Sequence, residues 1–323
     1  MSETVERIHA EFKTPQSIVF RAVREATAQI PAKREKIVRG YENEVYKVTT
    51  HEEEFFIVRV RRHGTTPFVQ EAWALEQARH MGAPVPQVYA VSEAVIQGIP
   101  RDVMVLEHIP GDPLEERLAT MSSKEIERVL AQTGEALAKI HRIPVGGFYH
   151  RHSGGIWDFS DWDGIMESSK RDRRKEAPLL IDFGISPEII EEALALIDVY
   201  HTEFPDQQPI LCHGDLYPAH LLVDKYGDLT GLIDFGEFQG GPRIHDLAYF
   251  SMACPGIPLE WLRAGYDGGV NGNEALFNRQ LLLHKVLLQL GHLAHYIEQG
   301  WEEDAKLIAD GLLTSLMEWR IVG

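Results

Sequence analysis

The chain has 323 residues, 44% hydrophobic and 25% charged, the balance of a globular protein long enough for two cores of ordinary size. Asp and Glu outnumber Lys and Arg by 49 to 32, a formal charge of −17. Such a surface repels polyanions, which speaks against nucleic acid or an anionic membrane as partner and suits a cationic small molecule. Two cysteines, Cys212 and Cys254, give no disulfide framework, and neither lies in a CxxC or CxxH spacing that would hold zinc.

The opening "MSETVERIHAEFKT" has no apolar signal region, and "LLLHKVLLQLGHLAHYI" (281–297) is broken by Lys285 and three histidines. It falls short of the roughly 20 apolar residues that a membrane span needs. A cytoplasmic protein is expected. Thr14-Pro15 opens a first helix as cap and first helical residue, with Ile18, Val19, Ala22, Val23, Ala26 and Ile30 at helical spacing. The period then changes: residues 36–62 read as strand, glycine loop, strand, polar turn and strand. Helical spacing returns over 68–82, "PVPQVYAV" is extended, and "RDVMVLEHIPG" (101–111) is a last strand running into a turn.

Beyond that point the pattern is helical. A serine cap with a following acid opens 122–143, and Ser186-Pro187 opens a helix over 186–204. Helical patterns fill much of 258–266 and 272–319, and "KRDRRKE" (170–176) reads as a solvated helix end or loop. The change from strand-rich to helix-rich places a boundary near Glu107–Gly111, between a small lobe over 1–107 and a larger one over 108–323.

The chemistry gathers in "ILCHGDLYPAHLLVDKYGDLTGLIDFGEFQGGPRIHDLAYF" (210–250). A short apolar strand runs into His213-Gly214-Asp215, where the glycine lets the backbone turn and present the carboxylate. A second, "LTGLI", ends at Asp234. Asp215, His220 and Asp234 are thus delivered to neighbouring turns, where two of them can hold a hard divalent cation while the third acts on a substrate proton. On the residues alone this fits a metal-assisted hydrolase, a phosphoryl-transfer site, or polar groups satisfying turns. "IDFG" occurs twice, at 181–184 and 233–236, and only the second follows the HGD loop, with Asp215 nineteen residues before Asp234. Asp182 is therefore expected to carry no chemistry.

"HGDLYPAHLLVD…GLIDFGE" resembles the catalytic and metal-binding segments of the aminoglycoside phosphotransferase superfamily, antibiotic kinases with a protein-kinase-like fold. The resemblance implies an α+β bilobal fold, with an antiparallel sheet in the small N-terminal nucleotide-binding lobe and a larger, mainly helical C-terminal lobe. It implies that Asp215 orients or deprotonates the attacking hydroxyl, that His220 and Asp234 hold Mg²⁺ on the phosphates of ATP or GTP, and that Asp246 is structural. Most members carry asparagine where this chain has His220. Histidine there is similar to the macrolide kinases and some aminoglycoside kinases, and as a softer ligand it implies either that the metal is held less directly through His220 or that Mn²⁺ is accepted as well.

The N-terminal half supplies the other kinase parts by the same resemblance. "RGYENEVYKV" (39–48) matches the phosphate-covering loop, with Gly40 and Asn43. Arg59 in "FIVR" stands where kinases have a lysine, with Arg61 as a rival on the same strand face, and its planar fork suits phosphate. Glu71 matches the acid that holds that cation, and Glu107 and Ile109 match the linker that receives the purine. The acceptor is expected in the helical lobe, where Trp157 and Trp162 lie among Asp158, Asp161, Asp163 and Glu167, a combination suited to a cationic amino-sugar. Glu237 is a further candidate, and "GWEEDAK" (300–306) a weaker acidic one. The expected activity is transfer of the γ-phosphate to a hydroxyl of an aminoglycoside, a macrolide or a similar substrate. Its alternatives are a kinase-like module without turnover, a kinase of an endogenous metabolite, and a metal-dependent phosphoesterase.

Overall fold

The structure, a computed structural model, describes residues 12–38, 43–62, 67–266 and 273–322. The chain packs into two compact units: residues up to Met121 together with Ala219–Glu237, and Ser122–Pro218 together with Phe238 onward.

The first unit begins with α1 (Gln16–Thr27), whose buried face is Val19, Ala22 and Val23. Thr14 does not cap it, contrary to the expectation. Its N–H and Oγ1 both donate to Glu44 Oε2, at 2.9 and 2.6 Å, and Pro15 occupies the cap position. Five strands follow, β1 (Pro31–Ile37), β2 (Asn43–Thr50), β3 (Phe55–Arg61), β4 (Val88–Ile96) and β5 (Ile99–Glu107), with α2 (Phe68–His80) between β3 and β4. They form one antiparallel sheet in the order β1-β2-β3-β5-β4. Alternation along β2 turns Tyr46 and Val48 to α1, where they share a core with Phe56, Val58, Val60, Val103 and Val105. Gln97 and Gly98, both with positive φ, make the two-residue hairpin turn joining β4 to β5. β6 (Asp112–Pro113) and the short α3 (Leu114–Arg117) come next.

The second unit starts at α4 (Ser123–Ile140), opened by a capping box: Ser122 Oγ accepts from Glu125 N–H and the Glu125 carboxylate from Ser122 N–H. β7 (Phe148–Arg151) and β8 (Trp157–Phe159) lead to α5 (Trp162–Phe183). The charged run 170–176 lies inside α5, not at its end, with ion pairs such as Lys175–Asp172 along its wet side. Continuation through Pro178 is what the sequence reading did not anticipate. α6 (Pro187–Glu203) has the Ser186 cap expected of it, and β9 (Ile210–Cys212) follows.

The chain then returns to the first unit. β10 (Leu221–Val223) pairs antiparallel with β6 and with β11 (Leu229–Leu232). This small sheet is why the units divide differently from the 1–107 and 108–323 expected from the change in periodicity: backbone hydrogen bonds tie residues 112–113 to 221–232. β12 (Gln239–Gly241) pairs with β9 and β7 in a sheet ordered β8-β7-β12-β9. The helices α7 (His245–Ala253), α8 (Leu259–Tyr266), α9 (Glu274–Gln299) and α10 (Glu302–Val322) complete the second unit. α5, α6, α9 and α10 enclose its main core, built on Trp162, Met166, Ile197, Tyr200, Leu290 and Leu312. Among the described residues, no helix is long and apolar enough to cross a membrane.

α4 and α8 touch backbone to backbone. A Cβ on Gly265 would lie 1.7 Å from the Ala131 carbonyl oxygen, and one on Gly134 2.0 Å from that of Leu262. Gly265→Ala must part the helices, costing about 3 kcal/mol less the roughly 1 kcal/mol alanine gains in helix propensity. A fall in melting temperature is expected, against none for Gly256→Ala, whose added Cβ meets nothing within 4 Å.

Candidate active site

In the first unit, β3 sends Arg59 inward opposite Val45 and Met104, and the residue ends 7% exposed. Its Nη1 donates to Glu71 Oε1, from the first turn of α2, and its Nη2 to Asp234 Oδ1 at 3.0 Å. Burial alone would lower the Arg59 pKa, but the Glu71 and Asp234 carboxylates outweigh it and hold the guanidinium above its ordinary value. Glu71 is buried too, and burial pushes its carboxyl up to about 7. Arg59 and the Phe235 backbone N–H pull the other way. Of the two arginines weighed, Arg59 joins this cluster, while Arg61 pairs with Asp102 at 2.9 Å.

Asp234 follows the end of β11 with φ +65°, a left-handed conformation that costs an L-residue of order 1–3 kcal/mol and that Asp bears better than most. The neighbouring Phe235 is fully buried. The twist turns the Asp234 carboxylate outward, its side chain 44% exposed, with Oδ1 on Arg59 and Oδ2 3.5 Å from His220 Nε2. His220 closes the 3-10 turn leading into β10, and its carbonyl accepts from Ile233 N–H at 3.0 Å. A carboxylate oxygen and an imidazole nitrogen 3.5 Å apart lie near the roughly 3 Å that separates adjacent ligands of an octahedral cation bound at about 2.1 Å. The donor set fits a divalent cation, with one softer ligand than an all-oxygen site has.

In the second unit, β9 runs into His213-Gly214-Asp215. Gly214 has φ +85°, open to glycine at little cost. Beneath the turn lies Asp246, fully buried. Its Oδ2 accepts from His213 N–H at 2.8 Å and from His141 Nε2 at 2.9 Å, and its Oδ1 from Gly214 N–H at 2.9 Å. A carboxylate only accepts, so His141 donates to it from Nε2, and its Nδ1 is hydrogen bonded with the Tyr266 hydroxyl at 2.7 Å. Burial alone would raise the Asp246 pKa. The His141 hydrogen bond and charge, with His245 and His213, hold it well below the ordinary 3.8.

Asp215 stands half-buried at the tip of the turn, its N–H donating to His213 Nδ1 at 3.3 Å. The Tyr249 hydroxyl donates to Asp215 Oδ1 at 2.5 Å. Burial, then the Asp215 charge, pushes the Tyr249 phenol far above its usual value, so it remains a donor. The sequence reading passed over Tyr249, though it lies three residues after Asp246 and so on the same face of α7. It also passed over His141, for which no local signal exists.

Gly40 lies outside the described residues. Asn43 opens β2, and its Oδ1 is buried with no hydrogen-bond partner among the described residues. Glu107 ends β5 with its N–H on Gln87 O and its carboxylate accepting from Arg79 and Gln87 N–H. Ile109 lies against β11, where a Cβ on Gly231 would come within 2.6 Å of it. Asp161 spends both oxygens at the start of α5, on Gly164 N–H and Ser160 Oγ. Asp158 is tied to His152 and His150 N–H, and Asp163 to His201 at 2.7 Å. Trp162 belongs to the core, edge-on to Tyr200. Glu237 is exposed and belongs to the first unit. Asp182 is exposed in the last turn of α5, which Gly184 ends with φ +111°. His141, Cys212 and Asp246 also cluster as metal ligands might, but all three are buried and hydrogen bonded, and burial raises the Cys212 thiol well above its ordinary value.

A five-stranded antiparallel sheet bearing a buried Arg–Glu pair, an exposed aspartate in a strained Asp-Phe-Gly turn, and a helical unit with an HGD loop define a protein-kinase-like phosphotransferase. The chain belongs to the phosphotransferase enzyme family, whose family model matches residues 33–276. No curated protein matches it significantly. Among solved structures it is similar to a thermostable mutant of aminoglycoside phosphotransferase APH(4)-Ia in ternary complex with AMP-PNP and hygromycin B. That match has TM-score 0.72 and 16% identity over 93% of this chain and 98% of that one. It is also similar to a putative fructosamine-3-kinase from Thermobifida fusca YX-ER1 (0.63, 19%, 90% and 98%). A third is the GDP and kanamycin complex of APH(2″)-IIIa (0.61, 16%, 94% and 99%). At these identities the likeness establishes the fold.

Proposed function

We propose that this protein transfers the γ-phosphate of ATP or GTP to a hydroxyl of a polyhydroxylated, amine-bearing small molecule. Asp215 receives and orients the acceptor hydroxyl. Arg59, fixed by Glu71, faces the nucleotide phosphates, and His220 with Asp234 would hold Mg²⁺ or Mn²⁺. A cation bound there neutralises phosphate charge as it shifts toward the leaving oxygen. The observation that carries this reading is the division of the Asp234 carboxylate, Oδ1 on the buried Arg59 and Oδ2 turned toward His220 and solvent.

The bound nucleotides and aminoglycosides of the similar structures support nucleotide and amino-sugar as the two substrates. The fructosamine-kinase likeness supports a second acceptor type, a sugar-derived amine of ordinary metabolism. A coupled assay of wild-type protein with Mg-ATP and Mg-GTP tests this against hygromycin B, kanamycin, a macrolide and a fructosyl-amine. Nucleotide-dependent transfer to at least one acceptor is expected. Hydrolysis of phosphate esters without nucleotide would point to a phosphoesterase, and nucleotide binding without transfer to any acceptor would mark an idle kinase-like module.

A further inference from the structure

We propose that the acceptor binds on an aromatic ladder that climbs from Asp215 along the last turns of α9 (Tyr249, His292, Tyr296 and Trp301, with Asp304 at its outer end), and that its sugar ring packs on Tyr296 and Trp301. This rests on the reading of Asp215 as the group that receives the acceptor hydroxyl. All of these residues belong to the second unit.

The rungs are continuous. Tyr249 donates to Asp215 and meets His292 edge-on at 5.5 Å between ring centroids. His292 lies 5.8 Å from Tyr296, and Tyr296 5.6 Å from Trp301. His292 and Tyr296 are four residues apart on α9 and so share a face. Trp301 is brought to that face by the way the helix ends. Gly300 is left-handed at φ +73°, its N–H donates to Ile297 O, and Trp301 N–H returns to Tyr296 O at 2.9 Å. This pairing of the last hydrogen bonds folds the residue after the glycine onto the one five back. The local sequence therefore builds a fixed pair of rings rather than a loose one.

All four rings are half-buried, and the residues flanking the outer pair, His295 and Asp304, are open to solvent. Toward Asp215, burial depresses His292 to about 4, so it stays neutral there. Beyond its partial burial, the Tyr296 phenol is raised by Asp304 and then by Asp215, so the ring lies in the field of both carboxylates. Aromatic faces accept the C–H face of a sugar and the charge of an ammonium, and a carboxylate at the edge pairs with the amine. The other aromatic and acidic set, around 157–163, is open at its carboxylates but spends its groups on the protein itself, Asp158 on His152 and Asp163 on His201. Trp162 is core, Trp157 packs on Gly147 and Gly240, and Asp161 caps a helix.

Steady-state phosphotransfer with Mg-ATP or Mg-GTP and hygromycin B, kanamycin or a fructosyl-amine tests the proposal. Trp301→Leu keeps an apolar contact at the helix end but removes the ring. It should raise acceptor KM about tenfold, with nucleotide KM unmoved, and Trp301→Phe should recover most of the loss. Asp304→Asn, a conservative change at an exposed position, should raise KM for the amine-bearing acceptors. Acceptor KM within twofold of wild type in Trp301→Leu, or in Asp304→Asn where the tryptophan variants fail to fold, overturns the ladder while leaving the proposed function standing. A wild-type protein that phosphorylates none of the acceptors overturns both.

Discussion

Asp215→Ala lowers phosphotransfer by about 10²-fold or more, the scale of losing a positioned acid–base group. The loss is expected in kcat. Asp215 stands at the tip of a turn held from below by Asp246, so truncating it removes the reacting carboxylate without taking away what shapes the loop. Arg59, Glu71, His220 and Asp234 belong to the other unit, so nucleotide affinity should stay close to that of wild type. Asp182→Ala is the matched control. It removes the aspartate of the first Ile-Asp-Phe-Gly copy from an exposed helix end, and both turnover and the thermal shift with Mg-nucleotide should be unchanged. Near-normal turnover in folded Asp215→Ala would remove this residue from the mechanism.

Asp246→Ala destabilises the protein by about 3–5 kcal/mol, the range for breaking one side of a buried charged network. Two backbone N–H groups and His141 Nε2 lose their common acceptor in a place water does not reach, and each stranded donor costs about 1–3 kcal/mol. The pH dependence has a definite direction. The carboxyl is held below its ordinary 3.8 in the folded protein, so the unfolded chain binds the proton more readily. The stabilisation is complete above about pH 4–5 and drains away as pH falls below that range. Melting curves from pH 6 to pH 2.5 should therefore fall more steeply for wild type than for Asp246→Asn, in which the group no longer titrates. Parallel curves would mean that the loop is held by other contacts.

How much of this was legible in the chain depends on the distance over which each signal acts. The Ser122 and Ser186 caps and the strand pattern of 43–61 were readable because capping and alternation work within a few residues. Thr14 looked like a cap and is instead spent on Glu44, thirty residues away, because a buried carboxylate that needs donors outcompetes a helix end exposed to water. The run 170–176 read as a helix end or loop, yet α5 carries it inside and continues through Pro178 to Phe183, packed against α6 and α9 in the main core. Which arginine serves the Glu71–Asp234 cluster was beyond the sequence, since alternation put Arg59 and Arg61 on one face.

The two copies of Ile-Asp-Phe-Gly mark where local information ends. By itself the sequence determined the order of elements, the HGD loop and its distance from Asp234, because these depend on chemistry between near neighbours. The same four residues finish a helix at 181–184 and make a strained turn at 233–236. Their surroundings decide between the two. The pairing of β11 with β10, and the pull of Arg59 on the Asp234 carboxylate, compensate a left-handed aspartate in the second copy, and among the described residues no such partners attend the first. Only tertiary structure could decide this, because the energy that holds the strained turn comes from residues up to 175 positions away.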